Sequence, residues 1–379
     1  MMARPFSLVI LTSASGWRGS GISFSKIARG LAQRGHRTRV VATYSKVAAA
    51  FVAQDVPVTE LELRKTGFRE VARLSSLLAA QDADIIMADT PRDLRLSVLA
   101  GLLSRCLVVY RYNLNYRRPR THLGDRLYGK GVSGTVYQSE FIERDARAES
   151  VRYSGRSYQI PNGFDTRVFA PDEAEGAAFR ARLSISPDDA LVVSAGKLVA
   201  GKRLDRGIEA LARVRLEHRR LTYLLCGDGP EELHLHDMAS RLGVRLVITG
   251  MIDQKGVRGA YNAADAVLHT GRETFGNVVG EAMSCGRPLV CVHEGACPEV
   301  VGAAGILVPP DDADALASAV AGLLNDAERR RIIGSAARHR IEQVFSIDQM
   351  VSGYENMFSD LLTGRKRGRR PAGSALLHR

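Results

Sequence analysis

Short, nearly uninterrupted apolar runs alternate with stretches of helical period along almost the whole chain. Residues 6–14 form the first run, and a run apolar at successive positions reads as a strand buried on both faces. Further runs at 39–43, 84–88, 107–112 and 135–138 are separated by amphipathic helical patterns over 22–34, 71–80, 94–103 and 140–148. Gly35 closes the first helix. A turn-rich connector, Ile160-Pro161-Asn162-Gly163-Phe164-Asp165, interrupts the series, and a second alternation then begins at Leu191. Its strands are predicted at 191–195, 221–226, 246–249, 266–270 and 289–292, with helices over 312–324, 327–344 and 347–362 at the end. Strand–helix alternation of this kind predicts parallel sheets with helices on both faces. The fold class is therefore α/β, two Rossmann-like doubly wound domains facing a cleft, where ligands meet the carboxyl ends of strands. The expected divisions are 1–165, 166–345, a helix over 346–363 packing back toward the first domain, and a basic disordered tail over 364–379.

A chain of 379 residues, 45% hydrophobic and 25% charged, is long enough for two domains with full cores. It has no apolar run of about 18 residues, and its start is too brief for a secretory signal, so a cytoplasmic location is expected. The five cysteines lack a CxxC pair and lie mostly within apolar patterns. They read as buried thiols rather than a zinc site, because no His or Asp cluster completes four ligands. The net charge of +12 is uneven: residues 1–165 carry +11, residues 166–363 carry −5, and residues 364–379 carry +6. A basic first half suits an anionic partner, a phospholipid surface or a phosphorylated acceptor, with each Lys or Arg worth about 1 kcal/mol near an anionic leaflet. A merely solvated basic surface accounts for the charge equally well.

The densest chemistry lies at residues 272–286, RETFGNVVGEAMSCG, which place Glu273 and Glu281 around a predicted helix start. Unpaired N–H groups and the positive end of the dipole at such a start favour an anion near Phe275, Gly276, Asn277 and Val278. Glu281 shares a helix face with Asn277 and Val278 and needs a partner such as a ribose diol. A hydrogen bond to a charged carboxylate contributes about 1.5–3 kcal/mol. Lys197 and Lys202 follow the strand ending at Ala195, and two cations at a strand's carboxyl end suit a departing diphosphate. The loop with Gly16, Gly19 and Gly21 has the wrong order for the GxGxxG dinucleotide fingerprint, which disfavours a nicotinamide enzyme. Its close backbone approach still suits a phosphate or an acceptor. Gly227-Asp228-Gly229 reads as a tight turn into the next helix.

In this combination the sequence resembles the retaining family-4 glycosyltransferases of GT-B architecture. Glu273 to Glu281 is similar to their E-x7-E motif, and residues 281–288 resemble the helix and turn that follow it. The connector at 160–165, the loop 196–202, residues 226–230, 261–265, 298–301 and 305–310 add to the likeness, which is dense from about 158 to 345 and thin before that. The resemblance implies that Lys197 and Lys202 clamp the diphosphate, that Glu273 contacts the donor sugar and Glu281 the ribose. It further implies that backbone from Thr274 to Asn277 cradles the sugar phosphate and that the base lies near Met251 and Ile252. Gly16, Gly19 and Gly21 would face the diphosphate and acceptor. Three departures stand out: Lys197 replaces the usual Arg and loses its planar fork, Thr274 replaces a Gly, and Arg111 stands where many relatives have a His. Arg111 and His122 are candidate acceptor contacts.

The resulting expectation is a metal-independent, retaining hexosyltransferase that moves a sugar from a nucleotide-diphosphate-sugar donor, its co-substrate, to a saccharide or lipid-linked acceptor. Synthesis of cell-envelope polysaccharide, lipopolysaccharide or glycolipid would suit it, with the protein cytoplasmic or peripheral on the inner face of an anionic membrane. No cofactor and no nucleic acid are expected. The competing readings are a nucleotide-sugar epimerase of similar twin fold, which needs no acceptor, and a non-catalytic binder of nucleotide or anionic polymer, whose binding would fall steeply with salt.

Overall fold

The structure, a computed structural model, describes residues 4–17, 19–112, 129–148, 153, 155–216 and 220–368. The chain divides into two compact units, one of Met1–Gln138, Ile142–Pro161 and Met350–Arg379, the other of Ser139–Phe141 and Asn162–Gln349. The division thus falls after Pro161, four residues before the position expected.

The described elements of the first half are β1 (Ser7–Thr12), α1 (Gly19–Gln33), β2 (Arg37–Ala42), α2 (Ser45–Val52), β3 (Val58–Glu60), α3 (Phe68–Ala80), β4 (Ile85–Ala88), α4 (Pro91–Ser104), β5 (Leu107–Arg111), β6 (Gly134–Tyr137), α5 (Glu140–Ala148) and β7 (Arg156–Gln159). The seven strands form one parallel sheet in the order β3-β2-β1-β4-β5-β6-β7. Every residue of β1 is buried, as a strand covered on both faces requires. It pairs with β2 on one side, Leu8 opposite Thr38, and with β4 on the other, Leu8 opposite Ile85. The order reverses between β1 and β4, the point where the carboxyl ends of a doubly wound sheet open toward a ligand.

The second half contains α6 (Glu173–Arg182), β8 (Ala190–Ala195), a 3-10 turn (Ala200–Lys202), α7 (Leu204–Arg213), β9 (Leu221–Cys226), α8 (Glu232–Leu242), β10 (Arg245–Ile248), α9 (Gln254–Ala263), β11 (Ala266–His269), α10 (Asn277–Ser284), β12 (Leu289–Val292), α11 (Cys297–Val301), β13 (Ile306–Val308), α12 (Ala313–Leu324), α13 (Ala327–Val344) and α14 (Ile347–Gly368). Its six strands are parallel in the order β10-β9-β8-β11-β12-β13, so the reversal here lies between β8 and β11. One core of this unit includes Phe164, Phe275, Val279 and Phe345, the other Ile208, Tyr223, Leu268 and Val320. Gly280 lets the Phe164 ring lie on α10, since a Cβ there would come within 2.1 Å of it.

Three differences from the expected pattern have physical causes. The first helix starts at Gly19 rather than at residue 22, so two of the loop glycines lie in its first turn. A pair of glycines is a poor predictor of helix, but at Gly21 the Trp17 ring packs close, 3.0 Å from where a Cβ would stand. β3 and β7 are edge strands whose half-polar texts give no clear period, and β13, though apolar, is an edge strand only three residues long. The last helix runs on to Gly368, so the first residues of the expected tail are helical.

That helix belongs to the first unit from Met350 onward. Tyr354 and Phe358 are fully buried, Phe6 meets Phe358 edge-on at 5.5 Å, and a Cβ on Gly30 would strike Val351 at 2.3 Å. Polar contacts add to these: Arg34 pairs with Glu355 at 2.7 Å, and Asp360 accepts from Arg156 and from Tyr158 at 2.6 Å.

Candidate functional site

Lys197, Lys202 and Glu273 follow the carboxyl ends of β8 and β11, the two strands that flank the second unit's reversal of order, whereas Met251 and Ile252 follow β10 at the sheet's edge. After Ala195 the chain turns at Gly196, whose φ of +131° lies in a region that L side chains rarely adopt. Lys197 follows and is exposed, while its neighbour Leu198 is buried and pins the loop. The Gly227-Asp228-Gly229 segment holds that loop from below. The Cys226 carbonyl accepts from Gly196 N–H at 2.9 Å and the Asp228 carbonyl from Leu198 N–H at 2.7 Å. A Cβ on Gly227 would sit 1.9 Å from the Gly196 oxygen, and one on Gly229 would sit 2.1 Å from that of Leu198. These glycines therefore do more than make the turn expected of them; they permit backbone contact beneath Lys197.

Lys202 ends the 3-10 turn, and Arg203 beside it takes φ +49° at the start of α7. Arg203 is tied to Glu294 at 3.2 Å and to Asp311 at 3.3 Å, contacts that hold an otherwise strained backbone. The Lys202 carbonyl accepts from Thr270 Oγ1 at 2.8 Å. Gly271 packs on the same backbone, and a Cβ there would lie 2.8 Å from Lys202 Cα.

Glu273 comes four residues beyond the end of β11. Its backbone bridges Gly295, its carbonyl accepts from Ala296 N–H at 2.9 Å, and a Cβ on Gly295 would come within 2.3 Å of that carbonyl. With the main chain fixed on both sides, the Glu273 carboxylate accepts a hydrogen bond from Lys202 Nζ. The side chains are 26% and 15% exposed, so solvent screens the pair only in part. His269 Nε2 lies 3.4 Å from the same Oε1.

α10 begins immediately after. Gly276 takes φ +87° at its start and no side chain caps it, which leaves backbone donors of the first turn available to an anion. Phe275 turns inward, stacked on Phe164 at 5.8 Å and edge-on to Phe345 at 6.1 Å. Its side chain is core, so only its backbone can meet a ligand. The Thr274 carbonyl accepts from Ser139 Oγ at 3.0 Å. Asn277 is exposed at the helix start, and Glu281 is half-buried one turn on. Past Gly250, Met251 is 82% exposed, whereas Ile252 packs on the core and lines a groove with Phe179, Ile248 and Lys255.

The first unit holds the remaining candidates. Gly16 precedes α1, and Gly19 and Gly21 lie within it, so only Gly16 remains a loop residue. Arg111, the last residue of β5, is 3% exposed and lies over the Phe24 ring at 5.6 Å. Burial there sets it near Asp89, one residue past the end of β4, and near Tyr354. The Asp89 carboxyl is pushed up to about 6 by burial, against the pull of Arg111. Asp93 also rises through burial while accepting from Ser13 N–H at 2.9 Å. Arg111 is thus part of an interior charge cluster rather than a surface cation. His122 lies outside the described residues.

Sequence reasoning missed His269, Gly271, Gly295, Asp89 and Asp93. For Asp89 and Gly271 the signal was positional, since each directly follows a predicted strand, where α/β sheets carry their chemistry; His269, Asp93 and Gly295 carried none. All five cysteines are buried free thiols, as expected. No group of three metal-ligating side chains occurs among the described residues.

The architecture has solved counterparts. Anabaena HepE in complex with UDP and glucose matches with a TM-score of 0.79, covering 94% of this chain and 100% of that one at 22% identity, a likeness of fold. Two successive parallel-sheet units of this kind, with such neighbours, define the GT-B fold. The family model described as "Glycosyl transferases group 1" matches residues 177–340, and that described as "Glycosyltransferase Family 4" matches residues 17–168. The chain belongs to this group 1, family 4 of glycosyltransferases. Among curated relatives, the GDP-mannose-dependent alpha-(1-6)-phosphatidylinositol monomannoside mannosyltransferase of Mycolicibacterium smegmatis is 34% identical over 214 residues, 52% of this chain and 56% of the relative. The sulfoquinovosyl transferase of Arabidopsis thaliana is 30% identical over 227 residues, 58% and 43% respectively. The chain spans about half the length of the curated relatives it matches.

Proposed function

We propose that the protein transfers a sugar from a nucleoside-diphosphate donor to a saccharide or lipid-linked acceptor, with retention of configuration. One observation carries the reading: Lys202 and Glu273 are bonded together at the carboxyl ends of the two strands where the second sheet reverses, beside the uncapped start of α10. Lys202 and Lys197 would offset the charge that builds on the departing diphosphate. Backbone N–H groups at Thr274 to Asn277 would hold its oxygens, Glu273 would position the sugar and Glu281 the ribose. Two cations and a helix start supply this stabilisation without a metal, and activity should survive EDTA.

The acceptor belongs, in this reading, with the basic first unit, and an anionic membrane surface is its natural source. The mycobacterial relative's name specifies a phosphatidylinositol monomannoside acceptor, which supports a lipid-linked class. No helix among the described residues is long and apolar enough to cross a membrane, and basic residues would serve for peripheral docking. Envelope polysaccharide, lipopolysaccharide or glycolipid synthesis fits that arrangement.

The test is thermal stabilisation by uridine, guanosine, adenosine, thymidine and cytidine diphosphates, repeated with Glu281→Ala. Stabilisation by one of them that vanishes in the variant supports the reading and fixes the base. Indifference to all five refutes it. Incubation with donor sugar alone separates a transferase from an epimerase, since only the latter converts donor without acceptor.

A further inference from the structure

Lys202 has two demands on one ammonium. Bonded to Glu273, it presents a dipole to its surroundings; facing a diphosphate, it is effective only as a charge. If it turns away, Glu273 is left with a partly buried carboxylate and no donor, a costly state. A second donor on the same oxygen would remove that cost.

His269 is placed for this. It is the last residue of β11, so the strand fixes its backbone, and its side chain is 8% exposed. It lines a small cavity with Lys197, Lys202 and Thr270. Its Nε2 is buried, makes no hydrogen bond to the protein, and stands 3.4 Å from Glu273 Oε1, the oxygen that Lys202 occupies. The Cys297 thiol on α11 and the Cys291 thiol of β12 lie near the imidazole. Cys291, then His269, lower the Cys297 thiol to about 6. In the tautomer that carries its hydrogen on Nε2, the imidazole is a donor on that side. That tautomer sets a donor nitrogen 3.4 Å from Glu273 Oε1.

We infer that His269 is a positioning residue that takes over the Glu273 carboxylate when Lys202 turns to the diphosphate, an exchange that rests on the donor-site reading above. The imidazole acts through Glu273 rather than on substrate, as an outer ligand orients an inner one.

The test is a double-mutant cycle on binding of UDP and GDP, measured by calorimetry for the wild type, His269→Leu, Glu273→Gln and the double variant. In the wild-type background His269→Leu should weaken binding of the recognised nucleotide about 10-fold, the scale of a hydrogen bond to a charged group. In the Glu273→Gln background, where no carboxylate is stranded, the same change should alter binding less than about 2-fold. His269→Gln, which keeps an N–H, should restore most of the affinity. Equal losses in both backgrounds, or no loss in either, overturn the exchange while leaving the donor site intact. Failure of the wild type to bind either nucleotide instead removes the donor-site reading and the exchange with it. Nitrogen-15 spectra of labelled histidine in the wild-type protein give a check that no folding defect can confound: the His269 Nε2 resonance should move on adding the bound nucleotide, and an unmoved resonance refutes the inference.

Discussion

Gly271→Ala tests whether backbone contact, rather than side-chain chemistry alone, sets the lysine of the site. The new Cβ would lie 2.8 Å from Lys202 Cα, 3.0 Å from its carbonyl oxygen and 3.1 Å from that of Gly201. All three are main-chain atoms, so no flexible side chain can yield. Restoring ordinary contact at about 3.4 Å requires Lys202 to retreat by about 0.6 Å. Overpacking of this size costs about 1–3 kcal/mol, a melting temperature lower by about 2–4 °C per kcal/mol in a domain of this size. Since a misplacement of about 1 Å costs on the order of 100-fold in a positioned group, about 10-fold is expected here in nucleotide affinity or turnover. The assay is thermal unfolding together with calorimetric titration by UDP and GDP. Gly201→Ala, one residue from the lysine but facing open space, is the control and should change neither. Wild-type stability and affinity in Gly271→Ala, or equal damage from Gly201→Ala, would refute the reasoning.

Other outcomes follow from the same geometry. Lys202→Ala should weaken both donor binding and turnover, whereas Glu273→Ala should act mainly on turnover; steady-state kinetics showing unchanged rates in both would remove these residues from the site. Gly280→Ala would drive a methyl group into the Phe164 ring, and urea unfolding should register a loss of about 1–3 kcal/mol or more. Asp89, raised by burial from 3.8 to about 6, takes up its proton in the folded state before the unfolded one. Its contribution to stability is therefore greatest below pH 4 and is lost as pH rises through about 6, a change of about 3 kcal/mol. Unfolding of the wild type and Asp89→Asn across that window should diverge accordingly, and parallel profiles would exclude it.

The two sheets were legible in the sequence because strands buried on both faces, such as residues 7–12 and 221–226, write a continuous apolar text that helices seldom share. Val58–Glu60 and Arg156–Gln159 were not, since short edge strands are half polar and owe their form to a neighbour's hydrogen bonds. At the site, Lys202 and Glu273 could be picked out by charge and motif. That they bond each other depends on Gly271 and Gly295 bringing separate loops into contact, a long-range fact that no local pattern records. Arg111 shows the opposite limit: in sequence it is a cation beside a polar loop, and only the packing of Phe24 and Tyr354 reveals that it is interior. His269 sits inside an apolar strand, where a histidine reads as a satisfied core residue until its distance to Glu273 is known.

The return of α14 to the first unit has a consequence for biosynthesis. Tyr354 and Phe358 fill the interior beside elements that left the ribosome long before them, with all of Asn162–Gln349 emerging in between. At translation rates of about 5–20 residues per second, that interval is on the order of tens of seconds. The nascent first unit must carry an unfilled apolar surface around Phe6 and Gly30 throughout it, while the uninterrupted part of the second unit is free to fold. A ribosome stalled within that interval would therefore expose a site for chaperones on the part of the protein made first.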